Sequence, residues 1–123
     1  MTFEITTTRH FSAGHQLVLY DGSVEPVHGH NWVVRVAVMA PRLDSIGVVM
    51  DFHELERLVD AVVRPMHNHH LNELEPFKSE LNPSAEHVAV HVGRSVSPKL
   101  PNGVTLRSVT VWETPENSAA YYP

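Results

Sequence analysis

The chain has 123 residues, a net charge of -5 and no cysteine. That length suffices for one folded unit over 1–123, burying about two-thirds of the surface of its unfolded chain without cross-links. The lack of cysteine excludes a disulfide framework, a thiolate metal site and a cysteine nucleophile. Nine scattered basic residues against fourteen acidic ones argue against an electrostatically driven nucleic-acid binder.

The N-terminus runs straight into Thr2-Phe3-Glu4-Ile5-Thr6, with no basic region before an apolar core, so no signal peptide is expected. No apolar run is long enough to cross a bilayer, and no membrane partner is expected. A reducing, cytoplasmic setting fits this composition. The ten histidines are spread over several segments, unlike a metal-buffering tail.

Residues 2 to 13 read as a first strand, with Phe3 and Ile5 alternating with polar neighbours. Arg9 falls on the Phe3/Ile5 phase, which predicts a bulge or a solvent-facing stretch. His15 ends this extended segment, and a loop over 16 to 27 follows, punctuated by Asp21-Gly22 and Glu25-Pro26. A second strand, from about His30 to Ala40, carries Trp32, Val34, Val36 and Val38 on one face. Val33, Ala37 and Met39 lie on the other with Arg35 as the exception, so both faces call for cover.

After a turn over 41 to 47, Asp51 starts a helix as N-cap with Glu54 in capping-box position. Phe52, Leu55, Leu58, Val59, Val62 and Val63 keep helical spacing until Pro65. Residues 66 to 81 read as irregular. A second helix begins at Asn82-Pro83-Ser84, with proline near the first helical position and a stripe of Ala85, Val88, Ala89, Val92 and Val96. Pro98 and Pro101-Asn102-Gly103 turn the chain into a third strand, 104 to 114, and a short fourth, 118 to 122. The order ββααββ gives an α+β fold, a four-stranded antiparallel sheet with two helices on one face. Its exposed edges and uncovered side predict an oligomer in which subunits join their sheets into a closed barrel.

His28-Gly29-His30 is the stretch that carries chemistry. Side chains alternate along a strand, so the two imidazoles point the same way with a glycine between them. They make two of the three protein ligands of a catalytic zinc site, and His15 is the candidate third, joined to them by the twelve-residue loop 16–27.

Several stretches, taken together and in order, resemble the 6-pyruvoyltetrahydropterin synthase family, which includes the bacterial 6-carboxytetrahydropterin synthases. They are Phe11-Ser12-Ala13-Gly14-His15-Gln16-Leu17, His28-Gly29-His30-Asn31-Trp32 and Gly47-Val48-Val49-Met50-Asp51-Phe52, then Leu71-Asn72, Asn82-Pro83-Ser84-Ala85-Glu86-His87-Val88-Ala89 and Trp112-Glu113-Thr114. The resemblance implies the tunnelling fold, in which three four-stranded sheets close a barrel and two trimers stack as a homohexamer. It implies zinc on His15, His28 and His30, and a small-molecule pterin substrate bound between subunits. Glu113 is then the anchor of the pterin's guanidine-like edge, where paired carboxylate oxygens accept in parallel, with Glu86 near the ring. Read without the resemblance, Glu86 is a carboxylate complementing a helix N-terminus and Glu113 a solvent-facing strand-end carboxylate.

Two departures bear on the activity. Typical members carry a catalytic cysteine before the His-Gly-His; here Glu25 precedes His28 by three, which resembles the branch in which glutamate replaces cysteine and the enzyme releases 6-hydroxymethyl-7,8-dihydropterin for folate synthesis. Where members usually read Leu-Asp-His-x-x-Leu-Asn, this chain reads Met66-His67-Asn68-His69-His70-Leu71-Asn72, so the familiar Asp-His pair is replaced and His67 or His69 is left to supply an imidazole. The implied activity is a zinc-dependent lyase acting on the side chain of 7,8-dihydroneopterin triphosphate or a related reduced pterin. Glu25, His67 and His69 are its candidate proton carriers. Cleavage to the hydroxymethyl pterin, another purine-derived substrate, and a zinc- and pterin-binding protein without catalysis stand as alternatives.

Overall fold

A computed structural model describes all of residues 1–123. Two long antiparallel strands, β1 (Phe3–His15) and β2 (His28–Ala40), form its spine, paired rung by rung from Phe3 opposite Ala40 to His15 opposite His28. Both reach further toward the 16–27 loop than the sequence reading placed them, so all three candidate metal ligands lie inside the ladder. No bulge interrupts this pair at Arg9, contrary to the sequence expectation. Arg9 sits in regular alternation on the core face, and its guanidinium donates from Nε and Nη2 to the two carboxylate oxygens of Asp60 at 2.7 and 2.9 Å. A long stem can lie along an apolar face while its charged head finds a partner at the rim.

The sheet order is β3-β1-β2-β4-β5, with β3 (His69–His70), β4 (Thr105–Thr114) and β5 (Asn117–Tyr121). It has five strands where four were expected. The extra one, β3, runs parallel to Ala13–Gly14 within the segment read as irregular, and two residues carry no periodicity to detect. On the core face Trp32, Val34, Val36, Val38, Val109 and Val111 are fully buried. Phe11 and Trp32 stack with ring centroids 5.8 Å apart, and the Trp32 indole N–H donates to Ala13 O.

Helices α1 (Phe52–Val63) and α2 (Ala85–Val96) cover this face, α1 against β1 and α2 against β4 and β5. Asp51 caps α1 by accepting from His53 N–H, and Leu55, Val59, Val62 and Val63 point inward while Phe52 stays exposed. Ser84, not the proline, forms the α2 boundary: it accepts from His87 N–H, and Pro83 lies before the cap. Gly93 lies where a Cβ would stand 2.8 Å from the Tyr121 ring, so the missing side chain lets β5 approach the helix.

The other face carries Thr8, Asn31, Val33, Arg35 and Trp112 around a shallow cavity of about 290 Å³, with the Arg35 guanidinium 5.1 Å from the Trp112 ring centre. Neither helix covers it, and the sheet does not close on itself. No helix is long and apolar enough to cross a membrane.

Candidate active site

The end of the β1–β2 ladder brings His15, His28 and His30 together. Their ring centres lie 4.6 to 5.0 Å apart, and one nitrogen from each falls within 4.8 Å of the others. His15 is 1% exposed, the sole buried polar side chain of the core. Its Nδ1 donates to Pro83 O at 2.7 Å, and the His28 Nδ1 donates to Pro26 O at 3.0 Å. A carbonyl can only accept, so Nδ1 carries a proton in both rings, and the neutral form of each leaves its Nε2 lone pair free.

Those two Nε2 atoms face each other at 3.1 Å. Two lone pairs at that distance repel unless a proton or cation lies between them. The His30 Nε2 is buried with no hydrogen-bond partner. Burial holds the His30 imidazole below its ordinary pKa, against the opposing pull of the Glu113 carboxylate and with further lowering from His15 and His28. This keeps it neutral, the form that ligates metal. Nitrogens bonded at about 2.0–2.1 Å in a tetrahedral site stand roughly 3.3 Å apart. The His15 and His28 nitrogens already stand at about this spacing, and with a His30 nitrogen within 4.8 Å of both the three imidazoles could hold a divalent metal ion.

Two carboxylates flank the histidines. Glu113, near the end of β4, brings Oε1 to 3.2 Å from the His15 Nε2 and 3.9 Å from the His30 Nε2. It therefore sits against the histidine cluster and does not line the cavity described below. Glu25 places Oε1 3.9 Å from the His28 Nε2 while accepting a hydrogen bond from Leu17 N–H at 3.0 Å. Glu86 stands exposed in the first turn of α2, outside this cluster.

The 67–70 segment lies along the edge of β1. His67 Nδ1 accepts from Ser12 N–H, and Asn68, in the left-handed conformation at φ 60°, donates its N–H to Ser12 O. His69 shares its Nδ1 with His67 O at 2.8 Å. Beside it opens a cavity of about 480 Å³ lined by His30, Asn31, Asn68, His69 and His70, with Gly14 and Gly29 leaving room. His67 is not among its walls. His70 is, and its Nε2 is buried without a partner. The sequence reading gave His70 no role, because nothing in a run of adjacent histidines says which ring the β3 rung opposite Gly14 will turn inward.

The chain matches the family 6-pyruvoyl tetrahydropterin synthase over residues 4–123. The 6-carboxy-5,6,7,8-tetrahydropterin synthase of Synechocystis is 32% identical over 117 residues, covering 91% of this chain and 87% of that protein. The dihydroneopterin monophosphate aldolase of Pyrococcus furiosus is 30% identical over 103 residues, 84% and 82% of the two. The solved Caenorhabditis elegans 6-pyruvoyl tetrahydropterin synthase superposes with a TM-score of 0.87 at 25% identity, covering 100% of this chain and 96% of that one. A Plasmodium vivax 6-pyruvoyltetrahydropterin synthase in which a catalytic glutamate is replaced by alanine shares the fold, with a TM-score of 0.80 at 18% identity over 100% and 98% of the chains. With sequence and backbone agreeing from the first strand to the last, this chain belongs to the 6-pyruvoyl tetrahydropterin synthase family.

Proposed function

We propose that this chain is a zinc-dependent lyase that cleaves the side chain of a reduced pterin, 7,8-dihydroneopterin or its phosphate esters, releasing 6-hydroxymethyl-7,8-dihydropterin. The observation that carries the reading is the Glu25 carboxylate, tied to Leu17 N–H and 3.9 Å from the free nitrogen of His28. His15, His28 and His30 would hold the zinc, and bound there it would supply Lewis acidity toward a side-chain oxygen of the substrate.

Glu25 takes the proton of the hydroxyl on the second side-chain carbon. The bond between that carbon and the one attached to the ring breaks, its electron pair passing into the ring's carbon–nitrogen double bond. The second and third carbons leave as an aldehyde, and the carbon left on the ring regains a proton. That proton comes from the 67–70 segment: His69 lines the cavity beside His30, and His67 stands just outside it with its Nε2 uncommitted. Glu113 holds the heterocycle's flat nitrogen edge once it turns from the histidine lone pairs, and Glu86 joins it from the exposed start of α2. Residues 1–123 act as one unit, in the cytoplasm, with copies closing the open sheet into a barrel as a homohexamer.

Support comes from the aldolase among the relatives, from the Plasmodium enzyme with a catalytic glutamate, and from the absence of cysteine here. The Synechocystis relative favours a second reading, tetrahydropterin formation with loss of triphosphate, in which protons move at both carbon and oxygen. Zinc-loaded protein given 7,8-dihydroneopterin and its mono- and triphosphates, with products identified by mass, separates them. The hydroxymethyl pterin supports cleavage, a 6-carboxy or 6-pyruvoyl product supports the second reading, and bound but unchanged pterin refutes both. Glu25→Gln should lower turnover by about two powers of ten; an unchanged rate removes Glu25 as the base.

A further inference from the structure

We propose that Asn72 and Asn82 are positioning residues for Glu25, acting as two rungs of a strand built from side chains. The β1–β2 ladder ends at His15; beyond it Val18 bridges Val24 on one side, and the other edge of residues 16–18 has no strand beside it. Two asparagines take that place. Asn72 accepts from Gln16 N–H at 3.0 Å and donates to Gln16 O at 2.8 Å. Asn82 accepts from Val18 N–H at 2.9 Å and donates to Val18 O at 3.0 Å.

In extended chain, alternate residues present their N–H and C=O to opposite sides. With the asparagines holding residues 16 and 18 on one side, Leu17 must face the other. There its N–H donates to Glu25 Oε1 at 3.0 Å, and its C=O accepts from Glu25 N–H at 3.1 Å. The candidate base is thus fixed by backbone and side chain to the one residue that the asparagines orient. A primary amide carries an acceptor and a donor in one plane and so stands in for a peptide group; aspartate keeps the acceptor and loses the donor. Asn82 is itself anchored, its carbonyl accepting from His87 Nδ1 at 2.7 Å, and the adjacent Pro83 carbonyl holds His15.

The proposal rests on Glu25 as the base, so its test has one arm that needs no turnover. Asn72→Ala, Asn82→Ala and the gentler Asn→Asp changes are made in the full chain, loaded with zinc, with and without Glu25→Gln. Amide hydrogen exchange at Leu17 should speed up about tenfold or more in the asparagine variants as its carboxylate partner comes loose. With 7,8-dihydroneopterin as the probe substrate, kcat should fall about ten- to a hundredfold at nearly constant KM, since small misplacements of a reacting group cost that much. No further loss should occur in the Glu25→Gln background. A Leu17 amide that stays protected, or an equal loss in both backgrounds, overturns the proposal. A wild-type rate in Glu25→Gln alone refutes the base instead, and Leu17 exchange then decides whether the asparagines place that carboxylate.

Discussion

Truncating His30 to alanine should cost little without metal and much with it. In the metal-free chain the ring is 16% exposed and packs edge-on against Trp32 and His15 at 5.5 and 5.0 Å. Losing a mostly buried ring costs about 2–4 kcal/mol. The same truncation removes a buried nitrogen that has no partner, an arrangement that costs about 1–3 kcal/mol to maintain. These effects oppose each other and leave a net loss of roughly 1 kcal/mol. With zinc at a thousand times its Kd the wild type gains about 4 kcal/mol, which a two-ligand remnant forfeits. For a domain of this size that is a zinc-dependent rise in Tm of roughly 12–20 °C. Thermal unfolding with zinc and with chelator, at one fixed protein concentration, reads the difference. An undiminished zinc shift in His30→Ala would show that His30 is not a ligand, and a large loss in chelator would show that its ring serves packing.

Asp60→Ala should destabilise the chain by about 1–3 kcal/mol in urea, because it leaves the Arg9 guanidinium without the two charge-assisted bonds that raise its pKa. Gly93→Ala gains about 1 kcal/mol of helix propensity but drives a methyl into the Tyr121 ring; a net loss of about 1–2 kcal/mol should shrink when Tyr121 is also made smaller. His91, half-buried in α2 and edge-on to Phe77, has its pKa pushed below the ordinary 6.5 by burial. The unfolded chain then takes the proton first as pH falls, so stability is full above 6.5 and lost below it. Urea midpoints measured between pH 7 and pH 5 should fall less in His91→Leu; an identical slope would locate the acid sensitivity elsewhere.

The α+β order and both helix positions could be read from sequence because valine, leucine and alanine spacings there are long and regular. The clustering of the histidines was legible for a related reason, since His28 and His30 inherit the alternation of the strand they begin. What escaped depends on contacts distant in sequence. Arg9 looked like an interruption until Asp60, fifty-one residues on, supplied its partner. Asn72 and Asn82 look like ordinary turn residues, and only the fold brings them to the backbone of 16–18. Glu113 likewise reaches His15 only because β2 separates and aligns the two strands that carry them.

The last rung of the spine, His15 opposite His28, is also where the 16–27 excursion leaves and returns. Residues inserted or deleted at its tip, around Asp21-Gly22, alter no pairing among the thirteen rungs and so leave the histidine spacing untouched. On the proposed reading, the histidines that hold the metal and the Glu25 base are in that sense built on separate parts of the chain. Transplanting the excursion from a cysteine-bearing relative would exchange the proposed base while the histidine cluster stays put, which offers a direct route to moving one chemistry onto the other's scaffold.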